Sequence, residues 1–235
     1  MMLQKVDAAQ AFASRVRDGD VIAVGGFGLS GAPFDLIDAL RDTGARHLTI
    51  ISNNMGIAGC GLGILLDGRQ VDRVICSYAG ENAVFAEQFL NGDVAVEFVP
   101  QGTLAERLRA GGAGIAGFYT RTGVGTQVAA NKETREFDGV AHVLELGLKA
   151  DLGLVHAHTA DGAGNLVYRA AARNFNPLVA AASRFTIAEA EHIVDTGTLG
   201  TEVVVTPGVF VNAIVQSSNR DKPIEVRTVR ARALV

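Results

Sequence analysis

Short apolar runs alternate with segments of helical period through the first half of the chain, and this alternation limits the possible folds more than any other feature. Residues 6–16 place apolar side chains at helical spacing and end in the turn Asp18, Gly19, Asp20, after which 21–24 (VIAV) reads as a short buried strand. Pro33 sits where a helix can begin without losing a needed N–H, and 34–41 continues it up to Thr43 and Gly44. The alternation then recurs as strand 47–51, strand 71–76, helix 82–90, strand 94–99 and helix 104–110. Strands this short, each followed by a helix, predict an α/β fold: an open, mostly parallel sheet with helices on both faces. The second half changes character, with apolar strands at 140–146, 152–157 and 186–191 and a glycine turn at 161–164. No repeat stands out. The whole chain, 1–235, reads as a single domain, with 217–235 a polar, solvated C-terminal tail.

Charge and composition exclude several roles. With 21 Lys and Arg against 25 Asp and Glu, the net charge is -4, and no basic block exists that could track phosphates, so nucleic acid is not an expected partner. The apolar runs fall far short of the roughly 20 residues a membrane helix needs. The first residues carry charges at Lys5, Asp7, Arg15, Arg17, Asp18 and Asp20, which leaves no apolar core for a signal peptide, and the expected location is cytoplasmic. Cys60 and Cys76 have no metal-ligand spacing and read as reduced thiols. His156 and His158 share one face of a strand, but two histidines without a third ligand nearby do not make a metal site, and no metal is expected.

The glycine-rich turn 25–31 (GGFGLSG) lies between a strand and a helix, and Gly26, Gly28 and Gly31 spell Gly-x-Gly-x-x-Gly. A dinucleotide-binding turn would also want an acidic residue about 20 positions on to hold the ribose. That stretch reads Ile51, Ser52, Asn53, Asn54, with no carboxylate. Two readings stay open beside the dinucleotide one. The turn is a structural device, or its missing side chains let backbone N–H groups approach another phosphate-bearing or acyl ligand.

Several blocks, taken in order, carry a resemblance. The stretch 18–33 (DGDVIAVGGFGLSGAP) is similar to the glycine-rich signature of family I CoA-transferase A subunits. So are 52–56 (SNNMG), 80–82 (GEN), 100–106 (PQGTLAE), 109–126 (RAGGAGIAGFYTRTGVGT) and 172–176 (ARNFN), which resemble blocks of succinyl-CoA:3-oxoacid CoA-transferase A subunits. The resemblance spans roughly 5–216. Arg121 departs from it, since the family pattern has proline there.

The resemblance implies a chemistry. A glutamate carboxylate attacks the acyl-CoA carbonyl, and covalent, ping-pong transfer follows through anhydride and glutamyl-CoA intermediates. CoA is then a substrate, and no permanently bound cofactor is implied. The glutamate belongs to a B subunit, so this chain is expected to hold no catalytic residue and to act within a heterotetramer. The implied transfer runs from succinyl-CoA to acetoacetate, with 3-oxoadipate as an alternative acceptor and a catalytically idle acyl-CoA-binding relative as an alternative role. Gly25, Gly26, Phe27, Gly28, Leu29, Ser30 and Gly31 are the implied CoA-binding residues, and Asn53, Asn54 and Gln101 the implied substrate-binding ones. Their amides donate N–H groups without adding a charge that would repel a substrate carboxylate. Turn-capping asparagines and a loop glutamine are the plain alternative. Glu81 sits at a strand-to-helix junction and reads as a helix N-terminal acidic residue in preference to a nucleophile, which is the alternative. Glu133 and Glu145 read as surface or packing charges. Gly123 and Gly125 either let backbone approach the acyl group or serve a turn, and Arg169 and Arg173 either meet a substrate anion or form internal or interface ion pairs.

Overall fold

The structure, a computed structural model, describes residues 5–12, 15–80 and 82–218. Glu81 and the segment 219–235 therefore lie outside the described residues. The chain opens with β1 (Lys5–Val6), α1 (Ala8–Phe12), β2 (Val21–Val24), α2 (Phe34–Asp42), β3 (Leu48–Ile51) and α3 (Gly63–Asp67). It continues through β4 (Val71–Cys76), α4 (Ala83–Leu90), β5 (Ala95–Phe98), α5 (Gln101–Gly112), β6 (Gly117–Thr120), β7 (Thr134–Phe137) and β8 (Val140–Leu146). The last elements are β9 (Ala150–Asp161), β10 (Leu166–Val167), α6 (Asn176–Ala182), β11 (Ser183–Val194) and β12 (Ala213–Gln216).

The large sheet runs in the order β1-β12-β11-β9-β2-β3-β4-β5 with every neighbour parallel, and only β10 joins β9 antiparallel. A parallel sheet must be covered on both faces, and the alternation of side chains along the strands delivers two cores. Ile22, Val24, Leu48, Ile50, Val74 and Leu154 face α1 to α4, where they meet Phe12, Leu36, Ile37, Leu40, Leu66 and Phe85. Ala23, Ile51, Ile75, Val155 and Ala188 face the other way, against Leu104 and Leu108 of α5 and Val179 of α6. Each fully buried Leu, Ile or Phe contributes about 1.5–3 kcal/mol. No helix among the described residues is long and apolar enough to cross a membrane.

The expected first helix starts later than its periodicity suggests. Val6 pairs with Val215 in the sheet, which holds the chain extended, so the helix starts at Ala8. The expected strand at 47–51 begins at Leu48, because His47 takes a left-handed φ of 60°. β9 and β11 run to 12 residues each, well beyond their apolar cores, since they pair with each other from Ser183 and Ala150 to Val194 and Asp161. The three-stranded antiparallel sheet β6-β8-β7 was not foreseen as a unit, and α3 and α6 were too short and glycine- or proline-flanked to announce themselves. At the end of the described chain, the buried Ser217 donates its Oγ to Glu189 and the exposed Ser218 donates its N–H to Asp35. Glu145 is buried at 1% exposure with Lys132 Nζ 2.6 Å and Arg107 Nε 3.7 Å from its carboxylate, while Glu133 accepts from the Tyr119 hydroxyl.

Candidate active site

Four neighbouring strands end on the same side of the sheet, and the loops that leave them build one cavity. The glycine-rich loop follows β2, Ser52–Gly56 follows β3, Ser77–Gly80 follows β4, and Pro100 leads from β5 into α5. Phe27, Gly28, Asn53, Asn54, Gly56, Ile57, Ser77, Tyr78, Gly80 and Gln101 line a cavity of about 440 Å³. A crevice beyond the carboxyl ends of parallel strands is where open α/β sheets place their ligands, because there the helices diverge and the loops are free to vary.

Asn53 and Asn54 are buried at 3% and 7% exposure, so any polar group they leave unpaired is available only to what enters the cavity. The Asn53 carbonyl accepts from the N–H groups of Ser77 and Tyr78, which ties the end of β3 to the end of β4. Its side-chain amide has no hydrogen bond to another described residue. Asn54 uses its Oδ1 on the Gly56 N–H, 3.2 Å away, and keeps Nδ2 as a donor. Gln101 is exposed, at the first turn of α5, with Pro100 as the residue before the helix. It and Phe27 also border a second cavity of about 270 Å³ with Gly102, Ala105, Asn174, Phe175 and Leu178. Phe27 and Gln101 thus stand between the two spaces.

The glycine-rich loop divides by task. The Phe27 N–H and the Ser30 N–H each donate to the other residue's carbonyl, closing a tight turn. Gly25 and Gly26 are committed to the fold. A Cβ on Gly25 would overlap the Asn176 side chain, and the Gly26 N–H donates to Asn174 Oδ1 at 3.0 Å. Asn176 Nδ2 donates to the Gly31 carbonyl and Asn174 Nδ2 to the Ser30 carbonyl. Leu29 is buried in the core. Of the seven loop residues, Phe27 and Gly28 line the cavity. The asparagines of 172–176 therefore clasp the loop from behind, a role that only their long-range contacts reveal.

Ser77, Tyr78 and Ile57 were missed in the sequence. Ser77 Oγ is buried and has no hydrogen-bond partner among the described residues, though it lines the cavity. Its position after β4 mirrors Ser52 after β3, a signal too slight to single it out. No carboxylate is among the described residues lining the cavity, and burial pushes the neighbouring Cys76 thiol up to about 11, which leaves it protonated.

Other candidates fall outside the cavity. Gly123 and Gly125 take left-handed φ values of 89° and 76° in the exposed loop after β6, which also holds Arg121. Arg169 and Arg173 are exposed, and neither forms an ion pair with a described residue. His156 and His158 share a strand face, and Glu191 and His192 from β11 lie beside His158. The sequence hid this because the partners are more than thirty positions apart and meet only through the pairing of β9 with β11.

Comparison with known proteins agrees with this architecture. The Coenzyme A transferase family matches residues 5–217. Over 224 residues, 95% of this chain and 93% of the relative, the sequence is 56% identical to the A subunit of the succinyl-CoA:3-ketoacid coenzyme A transferase of Xanthomonas campestris pv. campestris. It is 50% identical over 225 residues, 96% of this chain and 94% of the relative, to the A subunit of a probable succinyl-CoA:3-ketoacid coenzyme A transferase of Bacillus subtilis. In structure it resembles an acyl-CoA transferase from E. coli, solved as a thioester complex with CoA, at a TM-score of 0.83 and 21% identity. That likeness covers 94% of this chain and 48% of the E. coli chain, so it speaks for the fold over about half of that protein. By sequence match over nearly its whole length, the chain belongs to the Coenzyme A transferase family.

Proposed function

We propose that the chain is the A subunit of a two-subunit CoA-transferase that moves CoA from succinyl-CoA to a 3-oxoacid, with acetoacetate as the acceptor, inside a heterotetramer. The observation that carries this reading is the cavity at the strand ends, lined by neutral donors and by no described carboxylate. Such a surface suits a half-site. It receives the oxygens of an acyl group and of a substrate carboxylate, while the nucleophile comes from elsewhere. The names of the two sequence relatives, both A subunits, support the same division.

In this reading the B subunit supplies a glutamate whose carboxylate attacks the succinyl-CoA carbonyl, and the CoA thiolate leaves as a mixed anhydride forms. The thiolate then attacks the glutamyl carbonyl of the anhydride, releasing succinate and leaving a glutamyl-CoA thioester. Acetoacetate repeats the two steps in reverse order and departs as acetoacetyl-CoA. This chain's share is to hold oxygens that gain negative charge. Asn53, Asn54 and Gln101 supply amide donors and Ser77 a hydroxyl, while Phe27 and Gly28 shape the wall along which CoA lies. Donors fixed in a buried wall need no reorganisation as charge develops, which is where their advantage over water arises.

The deciding experiment measures transfer from succinyl-CoA to acetoacetate with this chain alone, with its B-type partner alone and with both. Activity confined to the mixture is the expected result. Activity of the chain by itself would overturn the half-site. Turnover of the mixture with 3-oxoadipate and not with acetoacetate would move the acceptor and leave the division of labour intact.

A further inference from the structure

Three side chains that line neither cavity gather on β9 and β11. His158 comes from β9 and Glu191 and His192 from β11, and one ligand atom from each lies within 4.8 Å of the others. His158 Nδ1 is 2.8 Å from Glu191 Oε2, and the His158 and His192 rings meet edge to face with centroids 5.0 Å apart. The group is accessible, with His158 30% and Glu191 22% exposed at the side chain and His192 exposed.

A buried scaffold stands behind it. His156, at 2% exposure, places Nε2 3.1 Å from Glu191 Oε1 and Nδ1 3.4 Å from Glu189 Oε1. Glu189 in turn accepts from the N–H groups of Asp35 and Leu36 at the start of α2. The Glu191 carboxylate is therefore oriented from below by one imidazole and faced from the side by another. A carboxylate gripped by a hydrogen-bonded histidine is the supporting arrangement that fixes ligands around a metal. A simple proton-sharing pair of His158 and Glu191 would have no use for His192, which makes no hydrogen bond to a described residue.

We propose that His158, Glu191 and His192 bind a divalent transition ion of borderline softness, with Zn²⁺ as the type, and that water completes the coordination. Two imidazoles and one carboxylate select such ions over Mg²⁺ or Ca²⁺, which want oxygen ligands. Three protein ligands at an exposed position match an open site. The ion bridges β9 to β11 just past Ala190, where pairing with β12 ends at Gln216. Its effect is a clamp on the strand pair, and it does not depend on the transfer reaction.

The test uses the full chain without an affinity tag. Titration with Co²⁺ is followed by its visible absorbance, Zn²⁺ binding by calorimetry, and stability by thermal unfolding. One equivalent of each ion is expected, with a rise in Tm from ligand binding to the folded state. His192→Ala and His158→Ala are expected to weaken binding at least about tenfold, as loss of a ligand does, whereas His47→Ala and His142→Ala leave it unchanged. His192 is exposed, so its variant is expected to keep the fold, and circular dichroism checks that. Absence of binding at concentrations up to about 1 mM, weaker than any useful site, overturns the proposal. So does undiminished binding in His192→Ala.

Discussion

The cavity wall contains polar groups of two kinds, those paired within the protein and those without a partner among the described residues. Asn54 is in part of the first kind, because its Oδ1 holds the Gly56 N–H, whereas the Asn53 amide and Ser77 Oγ have no partner among the described residues. Leaving a buried polar group unpaired costs about 1–3 kcal/mol, a cost that a bound oxygen removes. Asn53→Ala is therefore expected to lower kcat/KM about ten- to a thousandfold, the range for removing a donor to a developing oxyanion. For Ser77→Ala, we expect a loss of about tenfold in transfer and no loss of thermal stability, because the hydroxyl makes no hydrogen bond to a described residue. A variant with full activity would remove Ser77 from the site. Asn53 was legible from its place in the 52–56 block, and Ser77 was not, since a lone serine after a strand has no distinguishing pattern.

At the scale of elements, the glycine-rich loop illustrates what a motif conceals. Its glycines read equally well as ligand contacts and as turn residues; in the structure Gly25 and Gly26 are held against Asn176 and Asn174, while Gly28 lines the cavity. Asn174 secures the Gly26 N–H and the Ser30 carbonyl, and Asn176 the Gly31 carbonyl and, through Oδ1, the His156 N–H. Replacing Asn174 by Ala strips the loop of two hydrogen bonds, and we expect a fall in stability of about 1–3 kcal/mol together with a raised KM for the acyl-CoA and a nearly unchanged kcat. A change in kcat alone would show that the clasp does not position the loop. The close approach of α5 to the chain after β8 makes a second case. A Cβ on Gly111 would overlap the Leu148 carbonyl, so Gly111→Ala is expected to destabilise the fold by several kcal/mol, about the top of the range for a point substitution. Chemical denaturation measures it.

The whole molecule is joined across its two sheets by charges that the sequence scatters. Glu97 on β5 meets Arg73 on β4 and Arg107 on α5, and Arg107 reaches Glu145 on β8, which also holds Lys132. Burial alone would raise the Glu97 carboxyl, but its hydrogen bonds and charge contacts with Arg107 and Arg73 outweigh that and hold it below its ordinary 4.5. A carboxyl depressed in the folded state adds stability that is fully present above its unfolded value and is lost as pH falls through the folded one. Denaturation midpoints measured between neutral pH and the acid side should fall less steeply for Glu97→Gln than for the parent, with the variant already weaker at neutral pH. Equal slopes would mean that this carboxylate does not couple folding to pH.

The open parallel sheet and the positions of β2, α2, β4 and α4 followed from apolar period and from glycine and proline punctuation, because those features act through local backbone geometry and one-sided burial. The order of blocks along the chain also pointed to Asn53, Asn54 and Gln101, and the tertiary structure set all three around one cavity. Other features had no local cause. The small sheet, the clasp of Asn174 and Asn176 on a loop some 145 positions away, the Glu189 carboxylate that caps α2 and the grouping of His158 with Glu191 and His192 are decided by which strands lie side by side. Pairing of distant strands is settled by the packing of the whole core, and no window of sequence contains it.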